Sequence, residues 1–334
     1  MIIRFLTYII LTICLNLICH SQDIHFSQFN LSPLNLNPAM TGAFKGDYRF
    51  AGNHRNQWSS VTVPYTTYAL SAEKNHCLTP PLSLGFQINQ DRAGDSRFNT
   101  FQINTSAAYE LKIDSIQKFK IGTQIGYTKK NLDYTPLSFD AQYNGTIYDP
   151  FASNQENFNS NSNSYLNFNI GLGHFLKVSK KLELQSGIAI YNMNSGRESY
   201  FQDNQIGQQP RLAIHTKGSW RYSEKLLFHP TILWLKQGKH QQTVLTLQSE
   251  YVFENFMNTY RSVIAGLSYR NKDALFLNAG YRLDSWQLGI SYDVNLSKLI
   301  PASQLRGGFE IAVIYIINQS PPKKIIHRIC PDYL

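Results

Sequence analysis

Hydrophobic and polar residues alternate along most of this chain. Leu82, Leu84, Phe86 and Ile88 are separated by Ser83, Gly85 and Gln87. Phe119, Ile121, Thr123, Ile125 and Tyr127 alternate with Lys120, Gly122, Gln124 and Gly126. Leu166, Phe168, Ile170 and Leu172 do so with Asn167, Asn169 and Gly171. The cleanest case is Trp286, Leu288, Ile290, Tyr292 and Val294 against Gln287, Gly289, Ser291 and Asp293. A period of two belongs to strands and excludes helix for these segments. The alternation predicts strands over 47–54, 66–73, 81–89, 98–110, 118–128, 163–176, 182–193, 210–221, 225–236, 241–252, 259–270, 273–283, 285–295 and 305–317.

One face of these strands is apolar and aromatic; the other carries glycine and small polar groups. A soluble β-sandwich would show the reverse outside, with large apolar groups filling its interior. A transmembrane barrel turns the apolar face to lipid and the polar face to its lumen. Loop lengths agree. Predicted connections after even-numbered strands are mostly short (111–117, 177–181, 222–224, 253–258, Asp284). Several after odd-numbered strands are long (55–65, 90–97, 129–162, 194–209), with 237–240 and 271–272 as exceptions. Outer-membrane barrels have short periplasmic turns and longer external loops. The expected fold class is therefore all-β: an outer-membrane β-barrel of about 14 antiparallel strands.

The leader supports export. Arg4 precedes the apolar run Phe5 to Ile18, and Cys19-His20-Ser21 offers small residues for cleavage before Gln22. Cys19 is not read as an acylation site, because Ile18 stands where a lipobox wants a small residue. Beyond the leader the longest apolar run is Ile311 to Ile317, too short for a spanning helix of about 20 residues. Lipid-spanning structures must satisfy every backbone polar group internally, which leaves a closed barrel. The expected organisation is a signal peptide over 1–21, a periplasmic or lumenal segment over 22–46, a barrel over 47–317 and a periplasmic tail over 318–334. The segment over 22–46 carries Pro33 and Pro38; it runs through the lumen or lies beneath the barrel, and with the tail it is the expected surface for machinery below.

Composition adds little beyond agreement: 20 Tyr, 20 Phe and only 16% charged residues. The net charge of +9 is spread along the chain with no basic cluster among aromatics, so nucleic acid is not an expected partner. Outer-membrane lipid is. The chain shows no GxSxG, P-loop, HExxH or GxGxxG motif, and its histidines are scattered. Glu250 and Glu310 fall on the lumen phase with Arg270 and Arg282, which reads as a solvated lumen network. No nucleophile and base pair can be named, so the expectation is a non-enzyme without cofactor or metal. After the leader only Cys77 and Cys330 remain, both on the periplasmic side by this topology. In an oxidising compartment they can form a disulfide; the other reading is two free thiols.

Several segments carry a resemblance. Gln22-Asp23-Ile24-His25-Phe26-Ser27-Gln28-Phe29, continuing through Leu34-Asn35-Leu36-Asn37-Pro38-Ala39 to Thr41-Gly42, is similar to the mature start of the PorP/SprF family. So are Tyr48-Arg49-Phe50 with Arg55-Asn56-Gln57-Trp58, then Asn89-Gln90-Asp91-Arg92-Ala93-Gly94-Asp95-Ser96, and Phe139-Asp140-Ala141-Gln142-Tyr143. The resemblance spans nearly the whole mature chain. It implies an outer-membrane barrel of the type IX secretion and gliding motility systems of Bacteroidota. The implied partners are a secreted adhesin with a C-terminal sorting domain and periplasmic secretion or gliding components.

On the predicted topology Arg55 and Trp58 fall in the first external loop. Asp91, Arg92 and Asp95 fall in the second, and Asp140 and Tyr143 in the third. Arginine and aromatic side chains suit protein interfaces, so these are the candidate partner-binding residues; the alternative is that they pack the loops across the barrel mouth. Two functions stand at this point. One is a barrel that secretes or anchors one surface adhesin. The other is a channel or transporter for small solutes.

Overall fold

The computed structural model describes residues 23–57, 63–78, 81–94, 97–134, 137–155, 160–196, 207–256, 259–297 and 303–318. Fourteen strands close into one antiparallel barrel. They are β1 (Tyr48–Gln57), β2 (Tyr65–Leu78), β3 (Leu82–Ala93), β4 (Phe98–Lys112), β5 (Gln117–Asn131), β6 (Ser162–Lys177) and β7 (Leu182–Tyr191). Then follow β8 (Arg211–Arg221), β9 (Leu226–Gln237), β10 (His240–Phe256), β11 (Thr259–Arg270), β12 (Ala274–Leu283), β13 (Trp286–Asn295) and β14 (Arg306–Ile317). Closure runs from Tyr48↔Ile317 to Gln57↔Gly308 between β1 and β14, so no strand edge is left unpaired.

The alternation read from the sequence is the alternation of the wall. Along β5, Ile121, Ile125 and Tyr127 face outward while Lys120, Gly122, Gln124, Thr128 and Lys130 are buried inside. Leu288, Ile290 and Tyr292 on β13 face outward, and Ser291 and Asp293 inward. Hydrocarbon outside and polar groups inside is the arrangement a bilayer demands. An aromatic band marks one rim of this outer surface. Trp286 stacks on Tyr315, Trp220 packs with Tyr222 and Phe228, and Phe253 lies against Tyr281. Such girdles sit at the lipid–water boundary. No helix among the described residues is long and apolar enough to cross a membrane.

The strands run further than the alternation predicted. β2 continues to Leu78 and β10 to Phe256, while β3 continues to Ala93. The extra residues stand outside the hydrocarbon belt, where outward side chains need not be apolar but the backbone ladder continues. Register shifts at Val252/Glu254, Tyr292/Val294 and Lys74/Leu78 mark bulges in the wall. The connections at one mouth include the long segments 132–161 and 192–210; among the described residues the strand connections at the other mouth are short turns.

Candidate functional site

Inside this wall lies the segment from Asp23 to Asp47. It enters at the long-loop mouth, descends the lumen and joins β1 at the short-turn mouth. Its first residues meet the upper ends of β7 and β9. The Asp23 amide donates to Gln237 Oε1 at 3.0 Å, Asn192 Nδ2 donates to Asp23 Oδ2 at 2.6 Å, and Gln208 also donates to the Asp23 carboxylate. Its last residues, Gly46 and Asp47, pack on Ile317 and Asn75 at the opposite end. The expectation that this segment offers a surface to machinery below is corrected to that extent: Phe26, Phe29, Leu31, Leu34, Leu36 and Met40 are all buried in the barrel. Only the stretch around Phe44 and Lys45 faces the short-turn mouth.

The local sequence explains the plug's compact path. Pro33 and Pro38 each start a helical turn, Pro33–Leu36 and Pro38–Met40, where a missing N–H is harmless. Asn37 caps the second turn, its Oδ1 accepting from the Ala39 amide at 2.8 Å. The same side chain donates to the carbonyls of Leu172 at 3.1 Å and Ile188 at 3.3 Å on β6 and β7. That reach requires bare backbone. A Cβ on Gly171 would strike Asn37, and one on Gly122 would strike the backbone of Pro38 and Ala39. These glycines, read from the sequence only as part of the polar lumen face, are the seat for this segment.

Buried charge clamps hold the plug at two levels. Near the top, Arg55 donates to the His25 carbonyl at 2.5 Å and to Asp293 at 3.2 Å. Glu310 accepts the amides of Ser27 at 2.7 Å and Gln28 at 2.9 Å. Ser27 Oγ donates to Asp293 at 2.9 Å and accepts from Arg270 at 2.8 Å. Near the bottom, Arg49 and Glu73 form a two-pronged pair at 2.7 Å. Glu73 also accepts the Gly42 amide at 2.9 Å, and Arg49 donates to the Met40 carbonyl at 3.0 Å. Charged hydrogen bonds in a dry interior are the strong ones. Apolar contacts fill the gaps between clamps: Phe29 and Leu36 meet Leu233, Val244 and Phe276, while Leu31 meets Ala51, Ala312 and Ile314.

A third charged group stands in the wall beside the plug. Glu250 accepts from Ser262 at 2.7 Å, Tyr260 at 2.8 Å and Arg282 at 3.1 Å. His229 Nε2 lies 2.9 Å from Glu250, and Ser219 Oγ lies 3.2 Å from His229 Nδ1. Here a hydroxyl, an imidazole and a carboxylate do line up, which no sequence motif announced. Among the described residues no group of three or more His, Cys, Asp or Glu is placed to hold a metal ion.

Two cavities flank the plug. One of about 510 Å³ lies at the long-loop mouth, with Asp23, Ile24 and His25 as part of its lining. Another of about 500 Å³ lies at the short-turn mouth around Phe44 and Lys45. Between plug and the β10–β13 wall only about 60 Å³ remains.

The structure distributes the sequence candidates unevenly. Arg55 is not in a loop: it sits on β1, 1% exposed, and its guanidinium is spent on the plug. The strand outlasts its apolar alternation, which is why the sequence reading ended it too early. Asp91 and Arg92 likewise lie on β3. Asp91 accepts from Thr67 Oγ1 at 2.6 Å and lines the upper cavity, while Arg92 is exposed. Asp140 and Tyr143 do lie in the long loop after β5, both exposed, with Tyr143 bridged to Tyr148. Trp58, Asp95 and Cys330 lie outside the described residues. Cys77 stands near the short-turn end of β2, its Sγ 3.5 Å from the Lys74 carbonyl. Sequence reasoning missed Asn37, Arg49, Glu73 and Asp293 as plug contacts. The available signal was ionisable residues at inward-facing positions of a barrel wall, where charge needs a partner.

Comparison with known proteins places this architecture. The Ralstonia pickettii toluene transporter TbuX aligns over 86% of this chain and 94% of its own, at 11% identity and a TM-score of 0.52. The Pseudomonas putida toluene transporter TodX aligns over 89% and 95%, at 11% identity and a TM-score of 0.52. At such identity these likenesses speak to the fold, that of an outer-membrane barrel. No curated protein sequence matches this chain. The sequence profile described as "Type IX secretion system membrane protein PorP/SprF" matches residues 18–315. With a match over that span, on a closed outer-membrane barrel, the chain belongs to the PorP/SprF family of type IX secretion system membrane proteins.

Proposed function

We propose that this barrel is a non-enzymatic docking component of type IX secretion. It holds one secreted surface protein, an adhesin with a C-terminal sorting domain, at the long-loop mouth. At the short-turn mouth it contacts periplasmic secretion or gliding components. The observation that carries this reading is the plug. A lumen filled from one mouth to the other, and clamped by buried charge, suits a scaffold better than a permanent pore. The described part of the long loop 132–161 supplies exposed polar and aromatic surface, including Asp140 and Tyr143. Replacing 132–161 by a short turn should abolish surface display of one secreted protein while the barrel still shows heat-modifiable mobility on gels. Unchanged display with altered solute uptake would refute the docking reading.

The second reading is a solute channel. Its support is the pair of cavities of about 510 and 500 Å³ facing each other across the plug, on the fold that TbuX and TodX use. It requires the plug to leave. Planar-bilayer recordings separate the two: the docking reading expects a closed barrel, the channel reading a steady conductance. As for chemistry, the Ser219–His229–Glu250 line is read as wall structure, since Glu250 is saturated by Arg282, Tyr260 and Ser262. A fluorophosphonate probe should leave Ser219 unlabelled; labelling would overturn the non-enzymatic assignment.

A further inference from the structure

The cavity at the long-loop mouth has a floor, and the first residues of the plug form part of it. Ile24 and His25 lie beneath; the walls come from β1, β2, β3, β4, β5 and the β10–β11 region. At about 510 Å³ it falls within the range of ordinary binding sites, roughly 300–1,000 Å³. Its chemistry is unusual for a small-molecule pocket, which is mostly apolar. The charged groups at this cavity are already engaged, Lys130 over the Phe98 ring among them. Asp23 faces Arg211 at 4.0 Å, Asp273 takes Arg270 at 2.9 Å, and Asp91 is bonded to Thr67. What remains are carboxamides. Gln57, Gln241, Gln242 and Asn271 all line the cavity, and among the described residues none of their side chains makes a hydrogen bond.

A carboxamide offers a donor pair and an acceptor on one rigid plane. That set is complementary to the peptide group, which presents one N–H and one C=O per residue. A hydrocarbon would leave those four amides without partners. Two aromatic rings, Tyr65 and Phe98, also line the cavity, and Phe98 is faced by the Lys130 ammonium, 5.9 Å from its centroid; a glycan is therefore the competing occupant that the test separates. Below, the plug blocks transit. A dead-ended, amide-lined recess holds its ligand rather than passing it on.

We infer that this outer cavity seats a short extended stretch of polypeptide from the surface partner, held by Gln57, Gln241, Gln242 and Asn271 against Ile24 and His25 of the plug. The inference rests on the docking reading in taking the occupant to be a secreted protein. It names where that protein is gripped, and it makes the plug's own first residues part of the grip.

The test uses the full-length protein in its outer membrane. A photo-reactive amino acid is placed at Gln57 and, separately, at Gln242, on different strands of the same cavity; a third copy carries it at Tyr143, on the exposed loop. Illumination followed by mass spectrometry reads the adducts. The expected result is the same short segment of one polypeptide joined to both cavity positions, and a different segment or nothing at Tyr143. Gln241→Ala combined with Asn271→Ala should lower the cavity adduct about tenfold or more, as two lost hydrogen bonds would. Heat-modifiable mobility should stay unchanged, showing that the barrel still folds. Adducts to glycan, adducts scattered over many proteins, or no adduct at either cavity position would overturn the inference. If the two positions capture one common segment while the loop-replacement variant still displays its adhesin, the docking reading fails and the peptide seat stands.

Discussion

Replacing Glu73 by glutamine should loosen the lower half of the plug while sparing the wall. Glu73 is buried, and the paired Arg49 is 6% exposed. The two stand directly opposite each other on β1 and β2. The substitution leaves the Arg49 guanidinium as a buried charge without its carboxylate and weakens the bond to the Gly42 amide. Breaking one partner of a buried pair costs about 3–5 kcal/mol. At 1.4 kcal/mol per factor of ten, that is a shift of roughly a hundredfold to a few thousandfold. The strain can be relieved without opening the ladder, because displacement of the stretch over 40–46 admits water to Arg49. Amide hydrogen exchange of the full-length protein in detergent measures the outcome. Exchange at Thr41 and Gly42 should rise by about a hundredfold or more, while exchange in β5 and β6 stays slow. Arg49→Met together with Glu73→Leu should restore protection in part, since an apolar pair removes the stranded charge. Unchanged exchange over 40–46 in Glu73→Gln would refute the clamp. So would general loss of protection in the wall with the plug still protected.

Three further expectations follow from the same geometry. Leu288→Arg or Ile290→Arg, both half-exposed on the outer face, should impair assembly by about 2–4 kcal/mol each, whereas Ser291→Asn on the lumen face should be milder; equal damage would show the faces to be misassigned. Burial holds His25 well below the ordinary imidazole range, and the positive fields of Arg55 and Arg270 push the same way. The undocked ring takes its proton near pH 6.5 while the docked ring resists it, so the part of docking that His25 supplies weakens as pH falls below about 6.5; between pH 7.5 and 5.5 protease accessibility of the plug should rise more in the parent than in His25→Gln. Cys77 and Cys330, if joined, should resist alkylation until reduced; labelling of both thiols without reductant would end that pairing.

The sequence alone determined the wall. Each strand residue meets lipid or lumen by its own parity, so the identity of Leu288 or Ser291 carries the information locally. A period of two, an even strand number and the sorting of loop lengths were therefore legible without any partner being known. Where the outward face left the hydrocarbon, parity ceased to be enforced, and the reading stopped short at Arg55 and Asp91 although the ladder went on. The plug was a different kind of problem. Its prolines, Asn37 and apolar residues announced a compact segment, but two locations remained open because nothing local chooses between them. The choice is made by contacts between residues 283 positions apart in Ser27 and Glu310, 238 apart in Arg55 and Asp293, and by bare backbone at Gly122 and Gly171. Only closure of the barrel brings those groups to one depth of the lumen. Tertiary structure thus decided whether the glycines line a pore or a seat, and which carboxylate answers which arginine.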